Sequence, residues 1–67
     1  MTGRLDDYNR QKGLIKLIIR MILEAPTYEC RLYLFRALLM ALIHRPQEAV
    51  RIISLVEKIE DDYARES

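Results

Sequence analysis

The residues that carry covalent, metal or nucleotide chemistry are nearly absent from this chain. Tryptophan does not occur, and Cys30 and His44 are the only cysteine and histidine. One cysteine excludes an intrachain disulfide, and one soft ligand of each kind falls short of the four donors of a structural zinc site. Hydroxyl nucleophiles are scarce: Ser54 falls on a polar helical stripe and Ser67 is terminal. Two glycines leave no material for a phosphate-cradling loop. No strand pattern stands out, and no apolar run reaches the roughly 18–20 residues of a spanning helix. The first apolar run begins only at Leu14, is broken by Lys16 and Arg20, and lacks a small-residue cleavage site. One unpaired cysteine suits a reducing compartment. The expectation is a cytoplasmic protein that is not an enzyme and holds no cofactor or metal.

The remaining chemical candidates have plainer readings. Cys30 near a helix start can be a thiol activated by the helix dipole, but a small buried hydrophobe is the better account. His44 reads as an imidazole near a helix C-terminus, where a cation is favourable. Glu57, Glu60, Asp61 and Asp62 lack the turn glycine and alternating donors of a calcium loop, so they read as a solvated face.

Charge of one sign is also lacking. Eleven Lys and Arg stand against ten Asp and Glu, which is not the excess of a dedicated nucleic-acid binder. The distribution is uneven. Residues 1–36 hold seven basic and four acidic side chains, and residues 37–67 hold four and six. A basic front and an acidic tail suit pairing with itself or with another polarised partner.

What the chain has in abundance is apolar helical sequence. Between Leu32 and Ile43, LYLFRALLMALI, eleven of twelve residues are apolar or aromatic, and Arg36 is the one charge. Between Leu14 and Leu23 eight of ten are apolar. Pro26 and Pro46 divide the sequence, because proline lacks a donor and pushes the residue before it out of the helical region. Asp6 and Asp7 suit a helix N-terminus, and Thr27 suits an N-cap with Glu29 in the following turn. Pro46 suits the first position of a third helix. Short connections favour neighbouring antiparallel helices. The pattern predicts an all-α fold, a single domain of three antiparallel helices over residues 6–24, 28–44 and 46–63. Residues 1–5 and 64–67 are expected to fray.

Each helix has a predicted wet side. Lys12, Lys16, Arg20 and Glu24 recur at steps of four on the first, and Glu29, Tyr33 and Arg36, extended by Met40 and His44, on the second. On the third, Ala49, Ile52, Val56, Ile59 and Tyr63 recur at spacing 3, 4, 3, 4, which predicts its buried seam. Val50, Ile53 and Leu55 widen that seam. Gly13 weakens the first helix by about 1 kcal/mol relative to alanine unless another helix approaches closely there.

A core-facing helix needs about three apolar positions in seven, and the first two helices far exceed that. The surplus predicts a bundle completed by oligomerisation, most simply as a homodimer. The expected interface is Leu34, Phe35, Leu38, Leu39 and Leu42 with Ile15, Ile19 and Ile22. Arg36 is then either the solvent window of the second helix or, the favoured reading, a covered cation beside Glu57 or Glu60 of the same or a neighbouring subunit. The functional expectation is a protein–protein interaction module: a regulator, adaptor or inhibitor with a protein partner. The runner-up is a dimeric DNA-binding regulator, with Lys12, Lys16, Arg20, Arg45 and Arg51 against phosphate. A membrane surface ranks third, because the apolar face of the first helix is needed for packing.

RLYLFR, residues 31–36, resembles the Leu-Tyr-Arg motif of small mitochondrial adaptor proteins in Leu32-Tyr33 alone. Leu34 stands where that family has arginine, and nothing is carried over from it.

Overall fold

A computed structural model describes residues 3–66, with side chains described from Asn9 to Glu66. All regular structure among these residues is helical. The helices are α1 (Gly3–Glu24), α2 (Tyr28–Leu42) and α3 (Pro46–Glu66). Two ends differ from expectation. Helix α1 starts at Gly3, upstream of Asp6, and α3 continues to Glu66, so the expected fraying at 3–5 and 64–66 is replaced by helix. Neither proline nor glycine interrupts residues 60–66, and Arg65 in the last turn complements the dipole. Residues 1, 2 and 67, included in the same expectation, lie outside the described residues.

The two breaks follow local chemistry. After Ala25-Pro26, Thr27 takes an extended conformation (φ −133°, ψ 158°), and its hydroxyl oxygen accepts from the Cys30 N–H at 3.1 Å. That is the N-cap expected of it, and it satisfies one of the orphan donors of a helix start. At the other end α2 stops at Leu42, two residues before His44. His44 adopts a left-handed backbone with φ 62°. The His44 N–H donates to the Ala41 carbonyl at 3.3 Å and the Arg45 N–H to the Met40 carbonyl at 2.8 Å. These paired bonds form a Schellman closure, which normally places glycine at the left-handed position. Pro46 then opens α3, where its missing donor is harmless.

Helix α2 is central. It packs along both α1 and α3, while those two scarcely touch each other. Its 15 residues span about 22 Å at 1.5 Å per residue, less than either neighbour. Their ends therefore overhang it, and the molecule extends 49 Å along its long axis. Gln11 ties α1 to the end of α2: its side-chain Nε2 donates to the Ala41 carbonyl at 3.0 Å.

The buried core draws on all three helices: Ile18 from α1; Cys30, Leu34, Ala37 and Ala41 from α2; Ala49, Ile53 and Val56 from α3. Half of these are alanine or cysteine. Small side chains let backbones approach, so α2 is held by closeness rather than by bulk. The seam of α3 is turned slightly from the expected one. Ile53 is buried, Ile52 and Ile59 are partly covered, and Tyr63 is about half exposed. Val50 and Leu55, expected to widen the seam, are exposed.

Two backbone positions are suboptimal for stability. A side chain added at Gly13 would meet nothing within 4 Å, so no close approach accounts for a mid-helix glycine. His44 occupies a region that costs a non-glycine residue about 1–2 kcal/mol. Gly13→Ala and His44→Gly should each raise the unfolding free energy by about 1 kcal/mol. Urea denaturation followed by circular dichroism measures both, and a loss at either position contradicts the backbone reading there.

Candidate interaction surface

The candidate site is built on α2, which has two apolar faces. One consists of Cys30, Leu34, Ala37 and Ala41, at spacing 4, 3, 4, and is fully buried in the protomer. The other consists of Tyr28, Leu32, Phe35, Leu39 and Leu42, at spacing 4, 3, 4, 3. Here Leu32, Phe35, Leu39 and Leu42 keep 52–54 % of their surface exposed, and Tyr28 keeps 74 %. At 100° per residue the centres of the two faces lie about 150° apart. The exposed stripe therefore looks away from both neighbouring helices. Ile43 prolongs it beyond the helix end, half exposed. Charged residues line its edges: Arg31 on one side, Glu29 and Arg36 on the other, all exposed.

The arrangement corrects several expectations. Leu34, expected at the interface, is wholly inside the protomer, level with the small residues that draw the helices together. Leu38, Ile15 and Ile22 are partly buried against the same core, and Ile19 remains exposed. Phe35, Leu39 and Leu42 fall on the exposed stripe. Tyr28 and Leu32 belong to it as well, beyond the expected interface, and the 4-3-4-3 spacing beginning at Tyr28 carries the signal for them. Tyr33 and Met40, expected on the wet side, pack against the core instead.

Arg36 is exposed, and no carboxylate of the described residues pairs with it. The expected cover from Glu57 or Glu60 is absent within the protomer. The reason is geometric: α3 packs on the small-residue face of α2, and Arg36 lies on the far side of the helix from that face.

The basic candidates are exposed on two helices and the α2–α3 turn. Lys12, Lys16 and Arg20 run along α1, Arg45 precedes α3, and Arg51 lies in its second turn. Two of the five have acidic neighbours. Arg20 Nε is 3.5 Å from Glu24 Oε1, and Arg51 Nη1 is 4.0 Å from Glu48 Oε1. Exposed pairs of this kind are worth about 0–1 kcal/mol, but they reduce the local positive field. A hollow of about 350 Å³ at the turn is lined by His44, Arg45, Pro46, Gln47 and Glu48. These are five consecutive residues, so no functional groups from separate elements converge there. Among the described residues no group of three His, Cys, Asp or Glu side chains comes together, and Cys30 is buried. No helix among them is long and apolar enough to cross a membrane.

Comparison of the chain with protein-family models, curated proteins and solved structures finds no match.

The two faces of α2 should respond differently to substitution. Leu34→Ala should cost about 2–5 kcal/mol at any protein concentration, as core truncations do. Arg36→Ala, measured where the chain is dilute, should change stability by no more than about 0.5 kcal/mol, as exposed sites do. Denaturant melts of both variants test the assignment, and a multi-kcal loss for Arg36→Ala would restore the covered-cation reading.

Proposed function

We propose that the chain is a small helical protein–protein interaction module that works as a homodimer. In this reading each protomer is three antiparallel helices, and the assembly acts as a regulator, adaptor or inhibitor through apolar helix surface. The observation that carries it is the exposed Tyr28–Leu42 stripe, set opposite the core. Among the described residues four large aliphatic side chains are fully or nearly fully buried, whereas twelve large apolar ones are exposed. Soluble monomers seldom leave contiguous apolar surface of this extent in water. The hydrogen bond from Gln11, in the first half of α1, to Ala41, at the end of α2, supports the antiparallel order.

The energies favour association of modest strength. Removing a large apolar side chain from water contributes about 1.5–3 kcal/mol, so five half-exposed ones leave roughly 5 kcal/mol per protomer unrealised. Two protomers together offset an association cost of about 4–15 kcal/mol. Micromolar concentrations are therefore the informative range. A dimer is stabilised by mass action, so the melting temperature should climb across a hundredfold rise in protein concentration. A chain that stays monomeric at high micromolar concentration, with an unchanged melt, defeats this reading.

A second reading, a DNA-binding dimer, is favoured by one observation. Lys12, Lys16 and Arg20 form an exposed line at steps of four on α1. The neighbouring Glu24 and Glu48 weigh against it. If the line engages phosphate, duplex affinity should fall steeply with salt, and Lys16→Glu with Arg20→Glu should abolish it. A gel-shift titration at low salt decides, since no retardation of duplex there removes this reading and leaves the interaction module standing.

A further inference from the structure

The α2 stripe has a spacing and an edge chemistry that specify its occupant. Residues recurring at 4, 3, 4, 3 on one helix face make a seam that packs against a second helix with the same repeat. Among the described residues the stripe stays exposed, because both neighbours pack on the opposite, small-residue face. The helix is already held in place by that packing, so docking a second helix orders nothing new. The chain carries a formal charge of +1, too little for copies to repel one another strongly.

Surface area points the same way. Taking about 200 Å² for each large side chain, the four half-exposed residues and the largely exposed Tyr28 leave roughly 500–600 Å² in water. Ile43 and the exposed Glu29, Arg31 and Arg36 at the rim bring the patch close to the roughly 800 Å² per partner of a standard interface.

The charges then select an orientation. Glu29 and Arg36 lie seven residues apart on one edge of the stripe, and Arg31 lies on the other edge. When two such helices run in opposite directions, like edges face each other. Glu29 then comes within two residues, about 3 Å along the axis, of the level of the partner's Arg36, and twofold symmetry repeats the pair. Leu32 meets the partner's Phe35, and Tyr28 meets the partner's Leu39. In a parallel pair unlike edges meet instead, which sets Arg31 against the partner's Arg36 twice.

We propose, on the reading that the chain self-associates, that a second copy occupies this stripe antiparallel, about a twofold axis between Leu32 and Phe35, with Glu29 of each copy facing the partner's Arg36. The stripe is thus a self-recognition surface. Its opposite charges lie at the rim, where they set direction more than strength.

Sedimentation equilibrium on the full chain and four variants tests this, with circular dichroism confirming helical content in each. Phe35→Glu should leave a folded monomer. Arg36→Glu and Glu29→Arg should each weaken the dimer about tenfold, since each turns two rim attractions into repulsions. The two together should restore it to within about threefold of the original, because the pair is exchanged rather than lost. If Phe35→Glu fails to fold, the two charge variants and their combination still decide. A wild-type chain that is monomeric at high micromolar concentration overturns both this proposal and the self-association reading. A dimer indifferent to Phe35→Glu, one tightened by Arg36→Glu as a parallel pair would be, or one that the double exchange fails to restore, overturns this proposal. Each of those results leaves self-association itself intact.

Discussion

Helix α2 has two apolar faces, and the protomer has only one core to offer it. Everything else in the structure follows from which face that core accepted. Cys30, Leu34, Ala37 and Ala41 went inside, because helices pack closest where side chains are small and can then share one dry seam. Burying the other face would bring in more apolar area. It would also hold α1 and α3 further from the α2 backbone, because Phe35 and three leucines are bulkier than alanine and cysteine. Packing density, rather than total hydrophobicity, decides such a competition.

That choice makes the protomer core thin. Among the described residues Ile18, Leu34, Ile53 and Val56 are its large members, and a chain of this length is marginal even with a full core. Around it stand two local devices, the Thr27 cap and the Schellman closure at His44 and Arg45, and one tertiary one, the Gln11 bond to the open end of α2. Each stabilises a helix end. None of them covers the outer stripe. The proposed self-association relates the two facts, since the surface left over by a thin core is the surface that a second copy would close.

The edge of the stripe illustrates how a rim charge works without being buried. An arginine inside a bundle core must be paired or it is costly, so a fully wrapped α2 would need a carboxylate such as Glu57 beside Arg36. With Arg36 in water that requirement lapses. Its charge becomes information about orientation, in company with Glu29 one heptad earlier on the same edge. The basic line on α1 lacks any such complementary pattern beyond its own Glu24, and its spacing is what the wet side of any amphipathic helix shows.

The sequence by itself determined the number of helices, their breaks and the surplus of apolar surface. These are local or compositional properties: proline ends a helix wherever it stands, Thr27 caps through its own neighbours, and counting apolar residues needs no coordinates. It also indicated α2 as the helix of interest, with Phe35, Leu39 and Leu42 among the residues to watch. Tertiary structure alone decided which face of α2 turned inward. Periodicity is the same for Cys30-Leu34-Ala37-Ala41 as for Leu32-Phe35-Leu39-Leu42, so the pattern could not rank them. Leu34 shows the difference most sharply. It is as apolar as its neighbours in sequence, yet it lies in the core because its heptad companions are alanine and cysteine, and Leu32 lies in water because its companions are not.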